Sequence, residues 1–350
     1  MNFNYSFPAV KGIQATREYY ITMIPIKLLN KLFVNEEEYI SPEYRAQRCI
    51  NESRIPEMKS YILNNLENYV FSALSASIDG QFVFKTNSLE GNIGVLEIDM
   101  GAVFLINDGQ HRKAALEAAL KERPEIGEET ISIVFFKDEG LKRSQQMFAD
   151  LNKHAVKSTM SLSTLYDDRD EFANIVKSIL NNNEFLNKYV DKEKDNLGKN
   201  SMKLFTLANF LRANKRIIRE YKDVETTKTF LNRYWDILLN NIVEFKLLQD
   251  KQLYKCDLRE DYILTLSVTL QIFGRLGKCF YEDNLDLNLL NQLKNIDWSR
   301  TNKEWINRII SSSGKVLNNE DSIIKGANLI KKKMGINLTR EEEVKENEVR

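Results

Sequence analysis

The hydrophobic periodicity of this chain changes once, near Leu162, and that change limits the possible folds more than any short motif does. Before it, β-branched and aromatic runs alternate with turn residues. YYITMIPIKLLNKLF (19–33) reads as a strand passing into a short helix at Pro25. YVFSALSASIDGQFVFK (69–85) reads as a hairpin about Asp79-Gly80, VLEIDM with AVFLIN after Gly101 as another strand pair, and ISIVFFK (131–137) as a buried strand. Helix starts are expected at Ser41-Pro42 and at Ile55-Pro56, the second placing Met58, Tyr61 and Ile62 on one face. Beyond Leu162 helical spacing takes over in DEFANIVKSILNN, MKLFTLANFLRANKRIIREY, TKTFLNRYWDILLNNIVEFKLL and LREDYILTLSVTLQIFGRLGKCFY, glycine thins out and strand-like runs vanish. The expected fold is α+β: a mixed N-terminal domain over 1–165, an all-helical domain over 166–338 and a frayed charged tail over 339–350.

Charge restricts function before any motif does. Lys+Arg and Asp+Glu are equal at 50 each, so a nucleic acid, if bound, must meet a local patch rather than a basic surface. Hydrophobic residues at 43% are enough for a sizeable core. Cys49, Cys256 and Cys279 are far apart and there are two histidines, with no CxxC, HxxxH or HExxH spacing to hold a structural zinc. The start MNFNYSFPAVKG lacks a basic segment followed by an apolar core, and no apolar run approaches a membrane span, so a cytoplasmic, reduced setting is expected.

One segment carries chemistry. AVFLINDGQHRKAALEAAL (102–120) stops a strand at Asn107 and Asp108, both favoured in turns and caps, allows a tight backbone at Gly109, and starts a strong helix near Gln110. The first N–H groups of such a helix lack intrahelical partners and lie at the positive end of its dipole, a ready anion site. Arg112 adds a fork of donors for phosphate oxygens, His111 further donors, and Gln110 can orient water or a phosphoryl oxygen. Asp108 to Arg112 therefore reads as a phosphate cradle; plain loop punctuation with a solvated arginine has about equal weight, since the anion rule is permissive. GxxxxGK[ST] and GxGxxG are both absent.

A second polar cluster follows in Ser144 to Phe172. Met147, Phe148 and Leu151 share a helical core face, and Asn152, Lys153, His154 and Lys157, with Ser158 and Thr159, offer donors to phosphate or a nucleic-acid backbone. Asp167, Asp168 and Asp170 around Arg169 are candidate Mg²⁺ ligands, although an N-cap role is favoured about two to one. Arg212, Lys215, Arg216 and Arg219 form the best basic helical segment for DNA, with a solvated face over a core of Ile217 and Ile218 as the equally weighted alternative.

DGQHR at Asp108 to Arg112 is the signature of DGQHR-domain proteins, and the chain resembles the DndB family of DNA phosphorothioation, the sulfur modification of the DNA backbone. FPAVKGIQATREYYITMIPIKLL, RAQRCINESRIPEMKSYI, YVFSALSASIDG, MFADLNKHAVK, SLSTLYDDRD and DWSRTNKEWINRIISSSGKVL all look like that family's segments. Further afield the domain is similar to the ParB and sulfiredoxin superfamily, where a Gly-x-x-Arg helix start binds the phosphates of CTP or ATP. That likeness implies phosphate contacts from Gly109, His111 and Arg112. Gln110 stands where sulfiredoxins carry their catalytic Cys, so redox chemistry is not implied.

The resemblance implies a regulator that binds the promoter DNA of the modification genes, dispensable for sulfur transfer itself. ATP or CTP with Mg²⁺ is the implied ligand. A second reading is a nucleotide-hydrolysing or DNA-cleaving enzyme in which Gln110 or His154 positions water; a third is a scaffold for the sulfur-transfer complex. A cationic His111 in the cradle would make affinity fall as pH rises through its pKa.

Overall fold

The computed structural model describes residues 3–33, 51–86, 91–153, 158–198, 201–220 and 223–349. The chain forms two compact units, 1–156 and 157–350. The expected helix start at Ser41-Pro42 lies outside the described residues, as does Cys49.

The first unit holds β1 (Asn4–Gln14), β2 (Arg17–Pro25), β3 (Leu74–Asp79), β4 (Phe82–Thr86), β5 (Ile93–Asp99), β6 (Val103–Asp108) and β7 (Thr130–Lys137). Their order in the sheet is β4-β5-β1-β2-β7-β3-β6, antiparallel except for the parallel pair β3 and β7. Neither the expected hairpin nor the expected strand pair forms. β3 pairs with β6 and β4 with β5, so Asp79-Gly80 is a corner within one long two-stranded ribbon rather than a turn between partners. At that corner Asp79 faces Val103 and Phe82 faces Ile98, and Asp99 N–H donates to the Gln81 carbonyl at 3.0 Å.

This corner forces the sheet to curl. Asp79 and Phe82 are three Cα steps apart, a reach of at most about 11 Å. In a flat sheet β3 and β4 would lie five strand spacings apart, about 24 Å. The ribbon's far half joins the free edge of β1 and its near half the free edge of β7, which brings the two ends of the sheet together. Aromatic contacts across the interior follow: Tyr20 of β2 meets Phe82 and Phe84 of β4 at 5.7 and 5.4 Å, and Tyr5 of β1 meets Phe104 of β6 at 6.3 Å. Alternate residues Leu74, Ala76 and Ile78, and Ile131, Ile133 and Phe135, fill the core. Helices α1 (Leu29–Leu32), α2 (Ile55–Leu63) and α3 (Gln110–Glu122) belong to this core through Leu29, Ile62 and Leu116, and α4 (Leu141–Lys153) follows β7. As expected, Pro56 opens α2, which buries Ile62 with Met58 and Tyr61 beside it.

Among its described residues the second unit is helical apart from a two-residue parallel ribbon, Val190–Asp191 against Phe205–Thr206, and isolated β-bridges such as Tyr262 with Ser299, a small departure from the all-helical expectation. Its α-helices are α5 (Met160–Tyr166), α6 (Glu171–Asn182), α7 (Glu184–Tyr189), α8 (Leu207–Ile217), α9 (Val224–Asn240), α10 (Val243–Gln249), α11 (Lys255–Asp261), α12 (Ser267–Glu282), α13 (Glu320–Lys333) and α14 (Arg340–Asn347). Trp235, Trp298, Trp305, Tyr234 and Phe273 are fully buried, and their polar atoms are mostly paired: Trp235 Nε1 donates to Asn214 Oδ1 at 2.9 Å and the Tyr234 hydroxyl to the Phe273 carbonyl at 2.6 Å.

The frayed tail is not observed: its residues build α14. Thr339 and Glu342 form a capping box, and Glu342, 3% exposed, accepts from Lys331 at 2.9 Å and Arg275 at 3.1 Å. Glu346 accepts a two-pronged bond from Arg308 at 2.5 and 2.6 Å and a third from Lys332 at 2.9 Å. A charge-rich end thus becomes ordered because its carboxylates find specific cations on earlier elements.

Two predictions follow from this architecture. Gly80 has φ +143°, and a Cβ there would lie 2.6 Å from Ala102 Cβ, so Gly80→Ala should destabilise the protein by about 1–3 kcal/mol in chemical denaturation. An unchanged midpoint would refute a closed corner. Arg308 holds the Glu346 carboxyl down at about 2, against 4.5 for an ordinary glutamate. Burial works to raise Glu342, but Lys331, the Thr339 N–H and Arg275 outweigh it and its pKa is also lowered. Both folded values lie below the unfolded one, so this stabilisation is complete above pH 4.5 and is lost as pH falls toward 2. Thermal melts across that window should show a falling midpoint in the wild type and a flatter dependence in Glu346→Gln.

Candidate functional site

The expected turn at Asn107-Asp108 is instead the end of β6. Pairing runs through Asp108, which faces Ser75, while Ile106 faces Ala76, so Asn107 is the extra residue of a β-bulge. The bulge turns Asn107 inward, where it is 1% exposed and its Nδ2 donates to Ser77 Oγ at 2.7 Å and Met147 Sδ at 3.2 Å. Its Oδ1 is buried without a hydrogen-bond partner among the described residues. Asp108 does not cap the helix either. Gly109 occupies the N-cap with φ 103°, a left-handed conformation that favours glycine, and a Cβ there would fall 2.4 Å from Leu74 Cδ2.

The helix start itself matches the anion-site expectation in its backbone. No side chain caps α3 and its first turn holds no acidic residue, so the positive end of a 13-residue helix is uncompensated by side-chain charge within that turn. Gln110 is the first helical residue and is half-buried.

The side chains are more committed than the motif alone implied. Arg112 folds back on the turn: Nη2 meets Asp108 Oδ2 at 2.5 Å, while Nη1 donates to the Ser72 hydroxyl and, at 3.2 Å, to the Ser72 carbonyl. The Asp108–Arg112 pair is therefore neutral as a unit, and Arg112 is held in place rather than waving in solvent. His111 Nε2 accepts from the Asn51 backbone N–H at 3.0 Å. An accepting Nε2 requires a neutral ring with its proton on Nδ1, so the charged His111 considered from the sequence does not fit this arrangement. Lys113 points into the protein, 3% exposed, and pairs with Glu117 at 2.9 Å; burial raises the Glu117 pKa despite that lysine. Ser72 and Asn51 are not identifiable as partners of the turn from the sequence, because each reaches it from a distant segment that no spacing rule connects to it.

Each remaining candidate has its own local surroundings. Lys153 is exposed in the last turn of α4; the side chain of Asn152, and His154 and Lys157 entirely, lie outside the described residues. Thr159 is the N-cap of α5, its hydroxyl accepting from Leu162 N–H at 3.1 Å. Of the three aspartates, Asp170 caps α6 through Ala173 N–H, Asp167 accepts from Arg169 N–H at 2.9 Å, and Asp168 pairs with Lys177 at 3.0 Å. Among the described residues no group of three His, Cys, Asp or Glu side chains is placed to hold a metal ion.

On α8 the basic segment is partly neutralised. Arg216 forms a fork with Glu320 at 2.6 and 2.9 Å, and Lys215 lies 3.5 Å from Asp170. Arg212 Nη1 donates to Asn209 Oδ1 at 3.1 Å, Arg219 is exposed beyond the helix, and Ile217 and Ile218 are in the core. Asp195, unremarked in the sequence, binds the α5 start through Met160 and Ser161 N–H, each at 2.8 Å.

No helix among the described residues is long and apolar enough to cross a membrane. No curated protein and no solved structure matches the chain. A model of the family described as DndB, DNA-sulfur modification-associated, matches residues 7–337, spanning both units and the Asp108–Arg112 turn. The chain belongs to the DndB family of DNA-sulfur modification-associated proteins.

Proposed function

We propose that this protein is a DNA-binding regulator within a DNA sulfur modification system, and that its Asp108–Arg112 turn takes a phosphate group, from a nucleotide or from DNA. Family membership supplies the system. The observation that carries the phosphate reading is the uncapped start of α3 with Arg112 fixed beside it by Asp108 and Ser72. An arriving phosphate replaces Asp108 as the anion facing the guanidinium and takes hydrogen bonds from the helix start, so Asp108 holds the site ready while weakening it. ATP or CTP fits this chemistry; any Mg²⁺ would arrive on the nucleotide phosphates, since Asp108 is the turn's one carboxylate. For DNA, Arg212 on α8 and Arg219 just beyond it are the exposed arginines, whereas Arg216 must first leave Glu320.

Calorimetric titration of ATP and of CTP, each with Mg²⁺, tests the turn. Wild type should bind at least one of them, Arg112→Ala should weaken binding by about tenfold or more, and Asp108→Asn should tighten it. Binding of neither nucleotide would refute the nucleotide reading. Steady turnover that is abolished in Gln110→Ala would replace the regulator with the hydrolytic reading. A gel-shift comparison of the promoter of the modification genes with unrelated DNA of equal length tests the regulator itself. Preferential retention of the promoter is expected, with a shallow salt dependence because few cations are available; equal affinity for both fragments would refute operator recognition.

A further inference from the structure

We propose a second site in the first unit, at the end of the sheet away from Asp108: a cavity that binds a nucleotide, with the Glu139 carboxylate as its built-in, displaceable anion. Along β3, Ser75 faces Asp108 and Gly80 marks the opposite end, so the corner and the phosphate turn lie at opposite ends of one strand. A cavity of about 450 Å³ opens at the corner end. That volume lies within the range of small-ligand sites and far exceeds what an inorganic anion fills.

Its walls are of two kinds. Arg17, Lys137 and Arg143 supply three cations. Phe82 and the buried ring of Tyr20, packed edge to face at 5.7 Å, supply an apolar aromatic wall. Phosphate-seeking forks beside an aromatic surface are what a nucleotide needs, one for its phosphate and one for its base. The Tyr20 hydroxyl donates to Glu18 at 2.7 Å, and Glu18 also accepts from Lys11 at 3.0 Å, so that carboxylate is committed away from the arginines.

Glu139 stands in for the missing anion. Its carboxylate lies 3.1 Å from Arg17 and 4.0 Å from Arg143, bridging the two guanidinium groups. Lys137 has no ion-pair partner among the described residues, leaving the cluster positive even with Glu139 in place. The neighbouring acid behaves differently: Asp138 accepts from Ser144 Oγ at 3.0 Å and Gly140 N–H at 3.3 Å and so fixes the start of α4. Gly140, with φ +96° in the left-handed region that favours glycine, joins the segment carrying Glu139 to α4.

The test titrates dAMP, inorganic phosphate and a 5′-phosphorylated tetrathymidylate into the full chain by calorimetry, with thermal melts to verify folding of each variant. Arg17 and Arg143 are partly exposed, so Arg17→Ala/Arg143→Ala should remain folded while losing about tenfold or more in dAMP affinity. Glu139→Gln should bind more tightly than wild type, and the loss on the double substitution should persist in an Arg112→Ala background, which separates this site from the turn. Tighter binding of the oligonucleotide than of dAMP assigns the site to a strand end; the reverse assigns it to free nucleotide. No dAMP binding, indifference to the double substitution, or phosphate binding as tightly as dAMP would each overturn the proposal.

Discussion

The connection from Asp79 to Phe82 is too short to cross a flat sheet, and the first unit is organised around that fact. Because β3 runs on into β4, and β5 returns through a similar corner into β6, the ribbon has to grip β1 with one half and β7 with the other. Closure decides which way β6 leaves the sheet and hence where α3 begins. The bulge at Asn107 finishes the job: one surplus residue turns an asparagine inward and delivers Asp108, Gly109 and the helix start in succession. The geometry of the turn is a by-product of how the sheet curls.

Two arrangements in this unit share a logic. At the turn, Arg112 is held by Asp108; at the corner, Arg17 and Arg143 are bridged by Glu139. Each keeps a guanidinium oriented at the cost of attraction for an incoming anion. The protein's zero formal net charge has a local counterpart: several of its arginines are met by carboxylates, as with Arg216 and Glu320 or Arg308 and Glu346. A polyanion approaching such a surface is drawn by few positions, which favours placement over strength.

Much of this was legible beforehand, for identifiable reasons. Helical spacing in residues 171–182 or 267–282 reports which face is buried, and those helices form as expected because the signal is local. Ile131 to Lys137 is the buried strand its composition implies. Strand partners were not legible: Asp79-Gly80 has the residues of a hairpin turn, yet a corner also needs glycine, and the choice depends on distant β1 and β7. Residues 339–349 were misread because charge alone says nothing of whether cations wait at Lys331, Arg275 and Arg308. At the candidate turn the helix start was visible in DGQHR, whereas Ser72 and Asn51 come from segments that no spacing rule connects to it.

The ribbon's topology also sets an order of assembly. In the first unit β1 must find β5, with Phe7 opposite Leu96, and β3 must wait for β7, with Leu74 opposite Ile133, before any interior exists. Loop closure over such separations is slow relative to local pairing such as α6 with α7 or α9 with α10, although the second unit too needs the distant pair α8 and α12. Until those strands meet, the first unit has no closed interior. During that interval the apolar edges of β1 and β7 lie open, which makes the newborn chain, rather than the finished fold, the state most exposed to misassembly.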